Sequence, residues 1–267
     1  MRKNVNLLFL VVSTSVLFII SCKKDDNDDT KTPLTCTLAK AYYFDSVGSI
    51  SDSIVYTYTG AYITKMSNAA GYATLEYTTD KVTKRNFFNA GSTTADAYDV
   101  IAYNGDGTIS SIKSYIIFGS NIQYAQYDFT YNGGKISKLD LKEVDFNSGQ
   151  LKPSSSSTFT YSGDNITQTV TTYYNDTGGV DDVATLAYAF DTNENYFRKN
   201  NAIFTDYLFV DALDGTIIPL LLSANNVTKV TEGTDETALA YTLDNNQNFY
   251  EFLFGGAKYA RYIYDCR

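Results

Sequence analysis

Four glutamates, Glu76, Glu143, Glu194 and Glu251, are the natural candidates for acid–base chemistry in this 267-residue chain. Two carboxylates at the correct separation suffice to hydrolyse a glycosidic bond. These four are scattered along the sequence, and acids on strands ordinarily face solvent, so a carboxylate-dependent glycoside hydrolase is the alternative reading rather than the leading one. The chain contains no histidine. That removes Ser-His-Asp and Cys-His catalysis, histidine bases and most zinc sites. Neither a GxGxxG turn nor a phosphate loop with lysine is present, so no cofactor is expected. The stretches "NGDGT" (104–108) and "DALDGT" (211–216) look like pieces of calcium loops. Neither carries the full ligand series with its closing bidentate Glu, and Asp-Gly is also what tight turns demand, so no metal is expected.

Aromatic side chains are the other group with binding potential. The chain has 24 tyrosines and 16 phenylalanines. Cross-strand packing explains most of them. The doublets Tyr42-Tyr43 and Tyr173-Tyr174 are more suggestive, because neighbours on a strand point to opposite faces. One of each pair should then lie on an outer surface, where a ring can stack on a sugar or meet a protein.

Strands must position these residues. Tyr, Thr, Phe and Ile are abundant, and proline is confined to Pro33, Pro153 and Pro219. In "QYAQYDFTY" (123–131), Ala125, Tyr127, Phe129 and Tyr131 share one face. In "VATLAYAF" (183–190), Leu186, Tyr188 and Phe190 do the same. Period two marks a sheet with one buried face. A unit also recurs: "YTGAYITKM" from Tyr58, "YTTDKVTK" from Tyr77, "YNGDGTISSI" from Tyr103, "YNGGKISKL" from Tyr131 and "YSGDNITQTV" from Tyr161, with a degenerate "LSANNVTKV" from Leu222. Each is a strand end, a polar turn, a β-branched residue and then Thr or Ser. Asn104-Gly105 and Asn132-Gly133 can take the positive φ of tight hairpins. Units of this length cannot bury a face alone and must stack. The expectation is an all-β fold: one large antiparallel β-meander of roughly ten to fourteen strands, strongly curved or partly closed. Two segments break the rhythm. Residues 202–226 are continuously apolar and read as a short helix or irregular plug, with two buried strands as the rival. "NSGQLKPSSSSTF" (147–159) reads as a surface loop by composition.

The N-terminus supplies the address. Arg2 and Lys3 precede an apolar run of about fourteen residues, too short to span a bilayer but suited to an export signal. The segment "FIISC" that ends it resembles the lipobox of bacterial lipoproteins. The resemblance implies that Cys22 receives a diacylglycerol, that cleavage removes residues 1–21, and that the new amine takes a fatty acid such as palmitate. Several acyl chains anchor stably where one does not, at about 0.8 kcal/mol per buried methylene. "KKDDNDDTKT" after Cys22 has nothing apolar to bury, so 22–35 should be a flexible tether. Lysine then acids after such a cysteine also resembles the surface-export signal of Bacteroidota lipoproteins. That favours the outer face of the outer membrane, the alternative being a merely soluble spacer.

Removing 1–21 takes away two basic residues and no acid, so the net charge moves from −9 to −11. An acidic surface argues against nucleic acid. With Cys22 used for lipid, Cys36 and Cys266 remain, either as a disulfide joining the ends of the domain or as two free thiols.

The tyrosine hairpins, the apolar plug ending in "LLSANNVTKV" and the closing "YIYDC" are similar to uncharacterised Bacteroidota surface lipoprotein families. Those families are thought to form porin-like, partly closed β-meanders and carry no agreed activity. The resemblance implies one domain over 36–267 and transfers no catalytic residue. A membrane-spanning barrel is a poorer fit, since the chain ends "YDCR" instead of in a terminal aromatic. The leading expectation is a lipid-anchored, non-enzymatic envelope protein, with the membrane as partner, that either binds a glycan, peptide or protein through its tyrosines or serves a structural role in the envelope.

Overall fold

The structure, a computed structural model, describes residues 36–199 and 217–266. Cys22, the signal segment 1–21, the tether 22–35 and the acidic turn at 211–216 lie outside the described residues. Sixteen strands follow in chain order: β1 (Cys36–Phe44), β2 (Ile50–Thr59), β3 (Tyr62–Ser67), β4 (Gly71–Thr78), β5 (Lys81–Asn89), β6 (Ala97–Tyr103), β7 (Ile109–Phe118) and β8 (Ser120–Asn132). Then come β9 (Lys135–Asp145), β10 (Gln150–Ser162), β11 (Asn165–Tyr174), β12 (Val180–Glu194), β13 (Asn225–Glu232), β14 (Asp235–Leu243), β15 (Phe249–Phe254) and β16 (Ala257–Cys266). Among the described residues, two short helices, α1 (Tyr196–Lys199) and α2 (Ile217–Leu222), lie between β12 and β13.

Each strand pairs antiparallel with the next, and β1 pairs with β16, which closes the sheet into a barrel. The expectation of an antiparallel meander holds. Its closure is complete where partial closure was allowed for, and the strand number exceeds the expected ten to fourteen. Six-residue strands such as β3 and β15 are too short to show a repeat. The seam sets Cys36 opposite Cys266 and Ala41 opposite Tyr262. Cys36 and Cys266 are joined by a disulfide, with Cα atoms 4.0 Å apart across 230 residues of sequence. Both edges of every strand are satisfied within 36–266, so the barrel is a self-contained unit.

Inside and outside are chemically opposite. One apolar cluster takes a buried residue from every strand, including Leu38, Tyr56, Leu75, Ile112, Tyr127, Leu139, Phe159, Leu186 and Phe252. Only the interior of a closed sheet can do that. A sixteen-stranded barrel can leave an aqueous lumen; here every strand buries at least one inward residue in one cluster instead. The alternate residues carry charge. Lys84 pairs with Glu76, Lys142 with Asp128 and Lys229 with Glu236. A lipid-facing surface must be apolar. This one carries ion pairs, with Val55, Val100, Val183 and Ile263 exposed among them.

The repeating unit has a defined job. Tyr58, Tyr77, Tyr103 and Tyr241 donate their hydroxyl hydrogens to the carbonyls of Leu38, Ile63, Val82 and Val227, at 2.7–2.8 Å. The register shifts by one residue at Tyr58, Tyr77, Tyr103, Tyr131 and Tyr161. Such a bulge takes a carbonyl out of the ladder. The Thr or Ser of the unit answers it: Thr64, Thr83, Ser137 and Thr167 donate to the carbonyls of Thr57, Glu76, Thr130 and Thr160. Burial pushes the Tyr58 and Tyr161 hydroxyls up to about 12, and moves Tyr77, Tyr103, Tyr131 and Tyr241 in the same direction.

The tight turns open on a residue at positive φ: Gly60 at 61°, Gly133 at 58° and Gly163 at 57°. Thr79 occupies the same slot at 61° without glycine's freedom. In "NGDGT" the positive φ falls on Gly107, at 90°, and not on Asn104-Gly105.

These turns, Cys36, Cys266, α1 and α2 share one end of the barrel, here called proximal; the intervening loops form the distal end. Of the expected plug, 202–216 lies outside the described residues. The described remainder, α2, buries Ile218, Pro219 and Leu221. Asn195 stitches it to β12: its amide donates to the Leu220 and Ser223 carbonyls, and its carbonyl accepts from Phe197 N. The serine-rich stretch is a correction. It is no loop but most of β10. Pro153 sits at a register shift, where its missing N–H costs no ladder bond, and Ser157 is buried against the Thr171 hydroxyl at 2.8 Å.

Candidate functional site

The loops after β3 and β5 frame a cavity of about 500 Å³ at the distal end, walled by Ile54, Met66, Ala73 and Phe87, with Arg85 among its lining. Local chemistry holds its rim. Asn68 Oδ1 accepts from Ala70 N and Gly71 N, while Asn68 Nδ2 donates to Asp52. Asp96 accepts from Asn89 N, and Ala90 N donates to the Ala70 carbonyl, lashing one loop to the other. Gly71 permits the close approach: a Cβ there would stand 2.0 Å from the Phe88 carbonyl oxygen.

Arg85 and Asp99 face each other across β5 and β6. Arg85 Nε and Nη2 both donate to Asp99 Oδ2, at 3.0 and 2.8 Å. They are 5% and 3% exposed, so the pair is shielded from water. The guanidinium also lies 4.2 Å from the centre of the Phe87 ring. The charges of the pair cancel, which leaves the Asp96 carboxylate at the rim as the charge among the lining residues, beside an aromatic wall. Such a surface suits an uncharged polyhydroxyl compound better than an anion. The composition of "KRNFFN" and "AYDVIAY" gives no hint of this pair, because a seven-residue connection sets the register between them.

The four candidate glutamates do not converge. Glu76 accepts from Asn86 and pairs with Lys84 on the outer face. Glu143, on β9, accepts from Ser154 on β10. Glu194 ends β12, opposite Asn225. Burial pushes the Glu251 carboxyl up, but hydrogen bonds from Lys258 and Arg261 outweigh it and hold it below the usual range. A glycosidase acid needs the opposite shift. Asp106 of "NGDGT" is occupied by Thr108, whose N–H and hydroxyl both donate to its Oδ1, as a tight turn requires.

The tyrosine doublets both sit toward the distal end but on strands far apart round the barrel. Tyr43 packs on the core, its ring 6.3 Å from that of Tyr259, and Lys40 lies over the Tyr42 ring at 4.5 Å. Tyr174 lines a smaller pocket of about 290 Å³ with Tyr124, Glu143 and Lys152. Tyr173 is among the exposed large side chains. The doublets therefore form no common surface.

No family model and no curated protein matches the chain. Among solved structures, a porin-like protein from Bacteroides uniformis is similar, with 13% identity, 88% of this chain and 98% of that one covered, and a TM-score of 0.49. A porin-like protein from Bacteroides vulgatus has 12% identity, 86% and 99% coverage and a TM-score of 0.36. A DUF3836 family protein from Bacteroides vulgatus has 11% identity, covers 34% of this chain and 97% of its own, and scores 0.29. Likeness at this level carries no information about activity.

Proposed function

We propose that the protein is a non-enzymatic outer-membrane lipoprotein, held by acyl groups on Cys22 and displayed at the cell surface, whose distal pocket binds a neutral, hydroxyl-rich ligand such as a short glycan. The observation that carries the ligand reading is Arg85, which lines the cavity beside Phe87 and has its charge neutralised by the buried Asp99. Anchoring rests on "FIISC" and the acids behind it. The ion pairs on the outer face support a barrel bathed in water.

The test is a glycan array probed with residues 23–267, followed by calorimetry on each hit. Binding that falls at least tenfold in Phe87→Ala or in the double variant Arg85→Met/Asp99→Leu, with the fold retained, is the expected result. An array that stays blank, with capture of a peptide or protein instead, overturns the glycan reading. Turnover of an array sugar would point to a carboxylate hydrolase. Mass spectrometry of the native protein decides the anchor: an unmodified Cys22 removes it.

A further inference from the structure

A second cavity, of about 400 Å³, lies across the barrel from the Arg85 pocket, lined by Leu186, Ile217, Leu220, Val230, Phe252, Phe254 and Tyr259 with Thr237, Glu232 and Asp235. We infer that it is a binding site for a cationic amphiphile, a compound with an apolar body and an ammonium or guanidinium head. Its depth is apolar: α2 contributes Ile217 and Leu220 as the floor, and Phe252 is buried in the wall. Its volume lies within the roughly 300–1,000 Å³ of small-molecule pockets.

The mouth supplies the charge. Glu232 and Asp235 close the β13–β14 hairpin and stand directly opposite one another, and paired residues of a ladder share a face. Val230 opposite Thr237, two residues further in, lines the same cavity, so both carboxylates face its opening. Like charges set opposite each other destabilise a hairpin. The one lysine of this hairpin does not relieve them: Lys229 is bonded to Glu236, at 2.6 Å. A cation in the mouth would meet two carboxylates at once. Phe254 and Tyr259, each 44% exposed, stand beside it, with ring centres 6.5 Å apart, and aromatic faces attract cations. Outside the lining, on β11, the Thr169 hydroxyl is buried without a hydrogen-bond partner among the described residues. Thr169 is directly opposite Leu186, so the interior here can also accept a polar atom.

This site is independent of the glycan reading, since none of its residues lines the Arg85 pocket. The experiment is calorimetric titration of residues 23–267 with decyltrimethylammonium, decanol and decanoate, each below its micelle concentration. The cationic probe should bind at least tenfold more tightly than decanoate, with decanol between them. Glu232→Gln with Asp235→Asn should erase that ranking while leaving decanol binding unchanged. Leu220→Trp or, from the strand wall, Thr237→Phe should fill the space and abolish binding of all three probes. Near-UV circular dichroism identifies the folded variants. Equal binding of decanoate, binding that persists in a folded cavity-filling variant, or no binding of the cationic probe to the wild-type chain would overturn the inference.

Discussion

Tyr77 donates its hydroxyl hydrogen to the Ile63 carbonyl, 2.8 Å away on the adjoining strand. The same bond recurs from Tyr58, Tyr103 and Tyr241. It holds the strand end in place where a bulge has shifted the ladder. Removing the hydroxyl leaves the ring in place and the carbonyl short of one donor. Tyr77→Phe should therefore lose about 1 kcal/mol, read as a lower urea midpoint with unchanged slope. Tyr58→Phe and Tyr241→Phe lie far enough apart for their losses to add.

The same tyrosines predict alkaline sensitivity. Burial raises the folded hydroxyls of Tyr58 and Tyr161 from 10.0 to about 12. Between those values the unfolded chain has released protons that the folded chain retains. The stabilisation is fully present below pH 10 and is lost as pH rises through the folded value. Urea midpoints measured from pH 9 to 12 should fall, with tyrosinate absorbance appearing late. A flat profile would count against the buried hydroxyls.

Thr79 holds a φ of 61° in a turn slot that Gly60, Gly133 and Gly163 fill elsewhere. A β-branched residue is strained there. Thr79→Gly should stabilise the barrel by about 1 kcal/mol, visible as a higher melting temperature. A drop would show that the hydroxyl or the methyl matters more than the backbone.

Arg85 and Asp99 differ from the surface pairs, since neither can turn to water. Asp99→Ala alone removes the carboxylate to which the buried guanidinium donates twice and should cost about 3–5 kcal/mol. Arg85→Met together with Asp99→Leu should cost much less than the two single losses added together. The double-mutant cycle in urea measures the difference, and strict additivity would contradict the coupling.

The Cys36–Cys266 bond closes a loop spanning 230 residues. In the chain-entropy account a loop of that order is worth about 5 kcal/mol, before strain. Reductant should therefore lower the melting temperature of the wild-type chain and leave that of a Cys36→Ser/Cys266→Ser variant unchanged.

Much of the architecture can be read before any coordinates. The faces expected for 123–131 and 183–190 are the ones that Ala125, Tyr127, Leu186 and Tyr188 bury. Local alternation and the Tyr-turn-β-branched-Thr unit are short-range signals, and short-range signals survive in a sequence. What fails is anything settled by a partner strand. Ser155, Ser156 and Ser157 look like a loop by composition; they lie in β10 because Tyr173, Thr172 and Thr171 stand opposite them. Arg85 and Asp99 look like two surface charges until the pairing of β5 with β6 turns both inward. The acids of the second cavity are invisible for the same reason: their importance lies in what Phe252 and Leu220 do nearby.

The pairing of β1 with β16 also governs how molecules treat their neighbours. A ribbon with two ends offers each passing copy a row of unused amides, the template on which fibrils grow. A ring offers none, so copies crowded together can touch only through side chains, several of which are already held in ion pairs. Opening that seam would expose two bare edges and turn the barrel into a nucleus for its own aggregation.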